Sequence, residues 1–147
     1  PWVNWQGSVL YGLPASTNRP LTSFPDHYAV LPTVSIVVPN QEFDMHDGMD
    51  PDRIRLADAW LKRQLEGYVA WARTHNSLLI VTWDEDNGKE GNRIPTILVG
   101  PMVCPGRYDQ RITHYHVLRT IEEMYGLSYA GHSADVEAIR GVWCGQP

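Results

Sequence analysis

Two short apolar runs bracket one long amphipathic segment, and this alternation constrains the fold more than any other feature of the chain. Val34-Ser35-Ile36-Val37-Val38 is mostly β-branched, and Leu78-Leu79-Ile80-Val81-Thr82-Trp83 is longer and the stronger of the two. Runs of this length and composition predict strands covered on both faces. Between them Leu56, Ala57, Trp60, Leu61, Gln64, Leu65, Tyr68, Val69 and Ala72 recur at helical spacing, with only Gln64 polar on the stripe. That pattern predicts a helix from near Asp52 to about Thr74. Pro51 suits its beginning, Asp50 and Asp52 suit its positive N-terminal end, and Gly67 is a weak point within it. Strand, helix and strand joined by short connections form a βαβ unit with a right-handed crossover, which would make the two strands parallel neighbours.

The next run, Pro95-Thr96-Ile97-Leu98-Val99, predicts a third strand closed by Gly100-Pro101. Too little chain separates it from the second for a helical crossover, so that pair is expected to be antiparallel. A second helix is expected from about Tyr115 to Tyr125, with Val117, Leu118, Ile121, Met124 and Tyr125 as its buried stripe and Gly126 as its cap. Residues 1–33, punctuated by Pro14, Pro20, Pro25 and Pro32, predict irregular chain with short helical turns, in which Trp2, Trp5 and Tyr11 pack against the rest of the domain. The tail, residues 127–147, has little periodicity.

At 147 residues the chain is the size of one domain. It reads either as a single domain over 1–147 or as the carboxy-terminal part of a larger one. Its start, Pro1-Trp2-Val3, has no initiator Met, basic n-region or apolar h-region and reads as a chain cut open upstream. The net charge is −5, with Lys and Arg scattered, which argues against a nucleic-acid or anionic-membrane surface. A phosphate-bearing substrate stays open, because a bound cation reverses the local field. No apolar run approaches the roughly 20 residues that span a bilayer. Cys104 and Cys144 belong to no CxxC, which disfavours a structural zinc site and leaves one disulfide or two buried thiols.

Each of the first two strand runs is followed by a polar cluster: Asn40 to Gly48, containing Asp44-Met45-His46-Asp47, and Asp84-Glu85-Asp86-Asn87-Gly88. If the strands are parallel, both clusters emerge at the sheet edge where open α/β folds bind ligands. Adjacent carboxylates repel one another and are costly to bury, and a divalent cation removes both penalties. A solvated acidic turn explains Asp84-Glu85-Asp86 equally well when taken alone; the apolar strand before it and the second cluster beside it favour a hard or borderline ion. Glycine at Gly88 does not fit the sixth position of an EF-hand loop. His46 has the chemistry to bind metal, donate to a phosphoryl oxygen or protonate a leaving group, although a lone His more often caps a turn. His114 and His116, two apart at a helix start, face different ways, so one would reach the site while the other caps or packs. There is no GxSxG elbow, HExxH, GxGxxG or Walker loop.

Several motifs in one order resemble a known family. They are Leu31-Pro32-Thr33-Val34-Ser35 through Pro39-Asn40, Asp44-Met45-His46-Asp47-Gly48, Thr82-Trp83-Asp84-Glu85-Asp86, Ile94-Pro95-Thr96-Ile97 with Val99-Gly100-Pro101, and Thr113-His114-Tyr115 with Val117-Leu118-Arg119-Thr120-Ile121-Glu122. Together they resemble the phosphoesterase family of bacterial and fungal acid phosphatases and phospholipase C enzymes. The likeness is closer to the acid phosphatases, since the phospholipase loop usually reads Asp-Glu-His-Gly-Gly where this chain has Asp84-Glu85-Asp86-Asn87-Gly88.

The resemblance implies an α/β fold of the alkaline phosphatase superfamily, three-layer αβα with a mostly parallel central sheet, incomplete in this chain. It implies hydrolysis of phosphate esters assisted by a divalent metal ion, with Asp84 and Glu85 as metal ligands, His46 and Asp47 as catalytic groups at the phosphate, and Asn40 and His114 as substrate neighbours. It further implies a secreted or periplasmic protein. The family's Glu-Asn metal pair and its Ser or Thr nucleophile belong to an earlier segment and are not found here. The expected partners are therefore that missing amino-terminal segment and a phosphate ester, and the fragment alone should not turn over. Other readings are a non-catalytic ligand- or partner-binding domain on the same scaffold, and a sulfatase or phosphonate hydrolase.

Overall fold

A computed structural model describes residues 14–145. The packing of Trp2, Trp5 and Tyr11 lies outside the described residues. The chain falls into two compact units, Pro1–Tyr68 and Val69–Pro147, each taken by itself below.

Among the described residues of the first unit, short 3-10 turns at Ala15–Thr17, Leu21–Ser23 and Tyr28–Val30 punctuate the proline-rich lead, as its composition suggests. Helix α1, Asp52–Ala72, begins in this unit and ends in the second, close to the predicted bounds. Its apolar stripe buries Ala57, Trp60 and Leu65. Phe43, in the loop before the helix, stacks on Trp60 with ring centroids 6.4 Å apart. Gly67 owes its place to packing, for a Cβ there would run into the Tyr28 hydroxyl. The Tyr28 ring meets Tyr68 edge-on at 5.5 Å.

The first predicted strand is not formed. Residues 35–40 are irregular, and Val34, Ile36 and Val38 are 45%, 50% and 58% exposed. A strand exists only where a neighbour takes its N–H and C=O groups. Among the described residues no segment pairs with this run. The βαβ unit and the three-layer, mostly parallel sheet are accordingly absent from the described residues, where the only sheet has two strands.

That sheet lies in the second unit. Strand β1, Leu79–Thr82, pairs with β2, Thr96–Val99, and the pairing is antiparallel, as the short connection requires. Leu79 stands opposite Val99 and Thr82 opposite Thr96, whose hydroxyl oxygens lie 3.1 Å apart. The described residues thus form a small α/β fold with two α-helices and a two-stranded antiparallel sheet.

Helix α2, His114–Tyr125, stops at Gly126, which adopts φ +61°. The Gly126 and Leu127 N–H groups donate to the Glu123 and Glu122 carbonyls, the pattern of a Schellman cap. The expected apolar stripe is only half right. Leu118, Met124 and Tyr125 are exposed, whereas Thr120 and Glu122 are buried. Burial of these polar side chains is tolerable because each finds partners in the following segment. Thr120 Oγ1 donates to the His116 carbonyl and accepts the Ile139 N–H at 2.8 Å. Glu122 Oε2 accepts from the fully buried Ser133 hydroxyl at 2.6 Å, and Oε1 accepts the Ala130 N–H at 2.9 Å. Replacing Glu122 with Ala removes the acceptor of the Ala130 N–H and one of the two acceptors of the Ser133 hydroxyl, which keeps the Ala130 carbonyl at 2.9 Å. A part-buried donor left without its acceptor costs about 1–3 kcal/mol, so urea denaturation should show a loss of about 1 kcal/mol, and an unchanged midpoint would refute this role.

The tail is pinned at two further places. Arg119 reaches the Ser133 and Val136 carbonyls through Nη1, pairs with Glu123 at 2.8 Å and lies 3.5 Å from the Tyr129 ring centroid. Cys104 and Cys144 form a disulfide beside an isolated bridge between Val103 and Trp143, which resolves the choice the sequence left open. Among the described residues, no helix is long and apolar enough to cross a membrane.

Candidate functional site

The candidate residues form two groups, one in each unit. In the first unit, the polar loop after residue 39 starts with a turn in which the Asn40 carbonyl accepts the N–H groups of Phe43 and Asp44. Asp44 Oδ1 then accepts the His46 N–H at 2.8 Å. Met45 takes a left-handed conformation at φ +74°, which swings the chain so that His46 and Asp47 stand outward. Their side chains, both 64% exposed, meet at 2.9 Å through His46 Nδ1 and Asp47 Oδ1. A carboxylate on one ring nitrogen fixes the imidazole's orientation. Arg53, in the first turn of α1, closes the loop from below through Asp50 and the Met45 carbonyl. Hydrogen bonding to Asp50 holds its guanidinium above the ordinary arginine range.

In the second unit, β1 ends at Thr82 and Asp84 and Glu85 follow as exposed residues. Asp86 differs from both. Its carboxylate accepts the N–H groups of Gly88 at 2.6 Å, Glu90 at 2.8 Å and Asn92 at 2.9 Å. Those amides, Gly88 foremost, hold its pKa below the usual carboxylate range. Asn92 Oδ1 completes the closure by accepting the Asp86 N–H. Asp86 is therefore the fastener of its loop, and its oxygens are committed to backbone amides. The sequence carried a signal for this, an Asp two residues before a Gly, which favours such local closure.

The two histidines of the 114–116 segment divide their work. His116 Nδ1 accepts the Thr113 N–H at 3.1 Å and caps α2. His114 Nε2 lies 2.9 Å from the Asp84 carbonyl across thirty residues of chain. A carbonyl can only accept, so Nε2 carries the proton of this bond. His114 thus meets Asp84 through the backbone, fixing the point where the acidic loop leaves the strand. Asn40 enters its loop through its backbone carbonyl.

Among the described residues, no three His, Cys, Asp or Glu side chains gather as a metal cage. The Asp84 and Glu85 carboxylates supply paired oxygen donors of the kind hard divalent ions take, and they fit a cation as part of a ligand set rather than as the whole of it.

The chain matches the phosphoesterase family over residues 7–128, a span that includes every candidate residue in both units. It belongs to that family. It is 46% identical over 145 residues to the phosphatidylinositol-3-phosphatase of Mycobacterium tuberculosis, an alignment that covers 97% of this chain and 46% of the relative. The chain thus spans about half the length of the curated relative it matches. No solved structure matches it.

Proposed function

We propose that this chain belongs to a phosphatase that hydrolyses phosphate esters with the help of a divalent metal ion. The observation that carries the reading is the family match, whose span includes the His46–Asp47 pair and the Asp84-Glu85 loop with its His114 anchor. Asp84 and Glu85 would hold the ion, which would offset charge developing on the phosphoryl oxygens. His46, oriented by Asp47, would donate to a phosphoryl oxygen or to the leaving oxygen. Asn40 is proposed to border the substrate, and His114 to keep the metal-binding loop in place. The nucleophile would come from a segment amino-terminal to these residues in the full-length protein.

The relative is named for hydrolysis of phosphatidylinositol 3-phosphate, which makes this lipid the first substrate to test. The Cys104–Cys144 bond favours an oxidising compartment and hence an exported enzyme. Purified full-length protein should release inorganic phosphate from phosphatidylinositol 3-phosphate and from p-nitrophenyl phosphate, and a chelator should abolish both activities. A sulfate ester should be a poor substrate. Absence of phosphate release from the metal-supplemented enzyme, or activity indifferent to chelation, would overturn the reading.

A further inference from the structure

We propose that Arg53 is a positioning residue for the His46–Asp47 pair, an inference that rests on the reading of that pair as part of the phosphoryl site. Three N–H groups of one guanidinium hold both ends of the loop that carries the pair. Nε and Nη2 grip the Asp50 carboxylate at 2.7 and 3.2 Å, and Nη1 donates to the Met45 carbonyl at 3.2 Å, eight residues back in the chain. His46 and Asp47 lie between those two anchor points.

The loop needs such a grip. Met45 is a non-glycine residue at φ +74°, a conformation that persists only where the surroundings impose it. It immediately precedes His46, so any relaxation there redirects the imidazole. Gly48, at φ +94°, brings the chain back so near α1 that a Cβ there would stand 3.4 Å from the Arg53 Cβ. The Arg53 side chain is 23% exposed and Asp50 is 55% exposed. An ion pair this open to water adds little to stability. Its consequence lies in loop geometry: a planar fork serves a carboxylate and a carbonyl at once, which the point charge of a lysine cannot do.

The test uses R53K, D50N and H46N in the full-length protein, assayed on p-nitrophenyl phosphate. R53K keeps the charge and loses the fork. It should lower kcat by about 10- to 100-fold, as misplacement of a reacting group by about 1 Å does. KM should stay within about twofold and the melting temperature should barely move. D50N should act alike, and the double variant should be little worse than either single one. Unchanged kcat in both R53K and D50N would overturn the proposal, as would a loss matched by the loss of folded protein. Should R53K fail to fold, D50N alone decides. H46N separates this proposal from its premise: inactive H46N beside fully active R53K and D50N sinks the clamp alone, whereas fully active H46N sinks the role given to the pair and the clamp with it.

Discussion

Replacing the proposed metal ligand Asp84 with Asn in the full-length protein is expected to abolish binding of the proposed divalent ion and to lower the proposed phosphate-ester hydrolysis by about 10²- to 10³-fold. The magnitude follows from the several kcal/mol of transition-state stabilisation that a catalytic ion supplies. Asn keeps the shape and the backbone of Asp84, so the His114 bond to the residue 84 carbonyl survives. The side chain is exposed two residues past β1, and among the described residues it enters no ion pair. Melting of the metal-free variant should therefore be nearly that of the metal-free parent, and only the stabilisation added by the divalent ion should be missing. Metal content by elemental analysis and kcat on p-nitrophenyl phosphate should fall in step. An enzyme that loses activity but keeps its metal would assign Asp84 to the substrate, and unchanged activity would refute its role altogether. D86N offers the contrast. Because Asp86 holds the Gly88, Glu90 and Asn92 amides, its replacement acts on the loop's conformation before it acts on any ion.

What could be read from the sequence was what depends on local spacing. Helices α1 and α2 follow from apolar residues recurring at 3.6-residue spacing, and the Gly126 cap follows from the one residue type at ease with φ +61°. The antiparallel β1–β2 pairing follows from connection length alone. The run at Val34–Val38 shows where such reasoning stops: its composition suits a strand, but a strand also needs a partner, and a sequence run does not reveal whether one is present. Burial of Thr120 and Glu122 was hidden for the same reason, since Ile139, Ala130 and Ser133, their partners, lie 8 to 19 residues away. At the candidate site, the sequence put an imidazole beside carboxylates, but the 2.9 Å contact of His46 with Asp47 is a finding of the structure. The His114 link to Asp84 was expressible only as two histidines of which one should reach the site. Arg53 went unnoticed, although an Asp three residues before an Arg at a helix start is a pattern that pairs.

Reduction of the Cys104–Cys144 bond is expected to lower stability by about 4 kcal/mol, the chain-entropy value for a bridge of this span. The cross-link joins residues 40 apart, with Cα atoms 4.9 Å from each other. Against the 5–15 kcal/mol of a typical domain this is a large fraction, corresponding to a melting temperature lower by about 10–15 °C at this size. Local hydrogen bonding cannot replace it. Among the described residues, two backbone bonds flank the bridge, Cys104 N–H to the Val142 carbonyl and Cys144 N–H to the Met102 carbonyl, each 2.8 Å. So short a ladder is marginal in water. Yet it delivers Ala138, Ile139 and Val142, buried apolar residues of the second unit. Trp143 Nε1 donates to the Ile139 carbonyl at 2.7 Å and turns the tail back on itself. When the bridge opens, this segment is held by the Thr120, Glu122 and Arg119 contacts, each of which depends on the tail remaining in place. Thermal melts of the native protein with and without reductant, alongside the C104S variant, measure the effect. Coincident curves would mean that the polar contacts of α2 suffice to hold the tail. In that case E122A, rather than loss of the disulfide, would be the substitution that releases it.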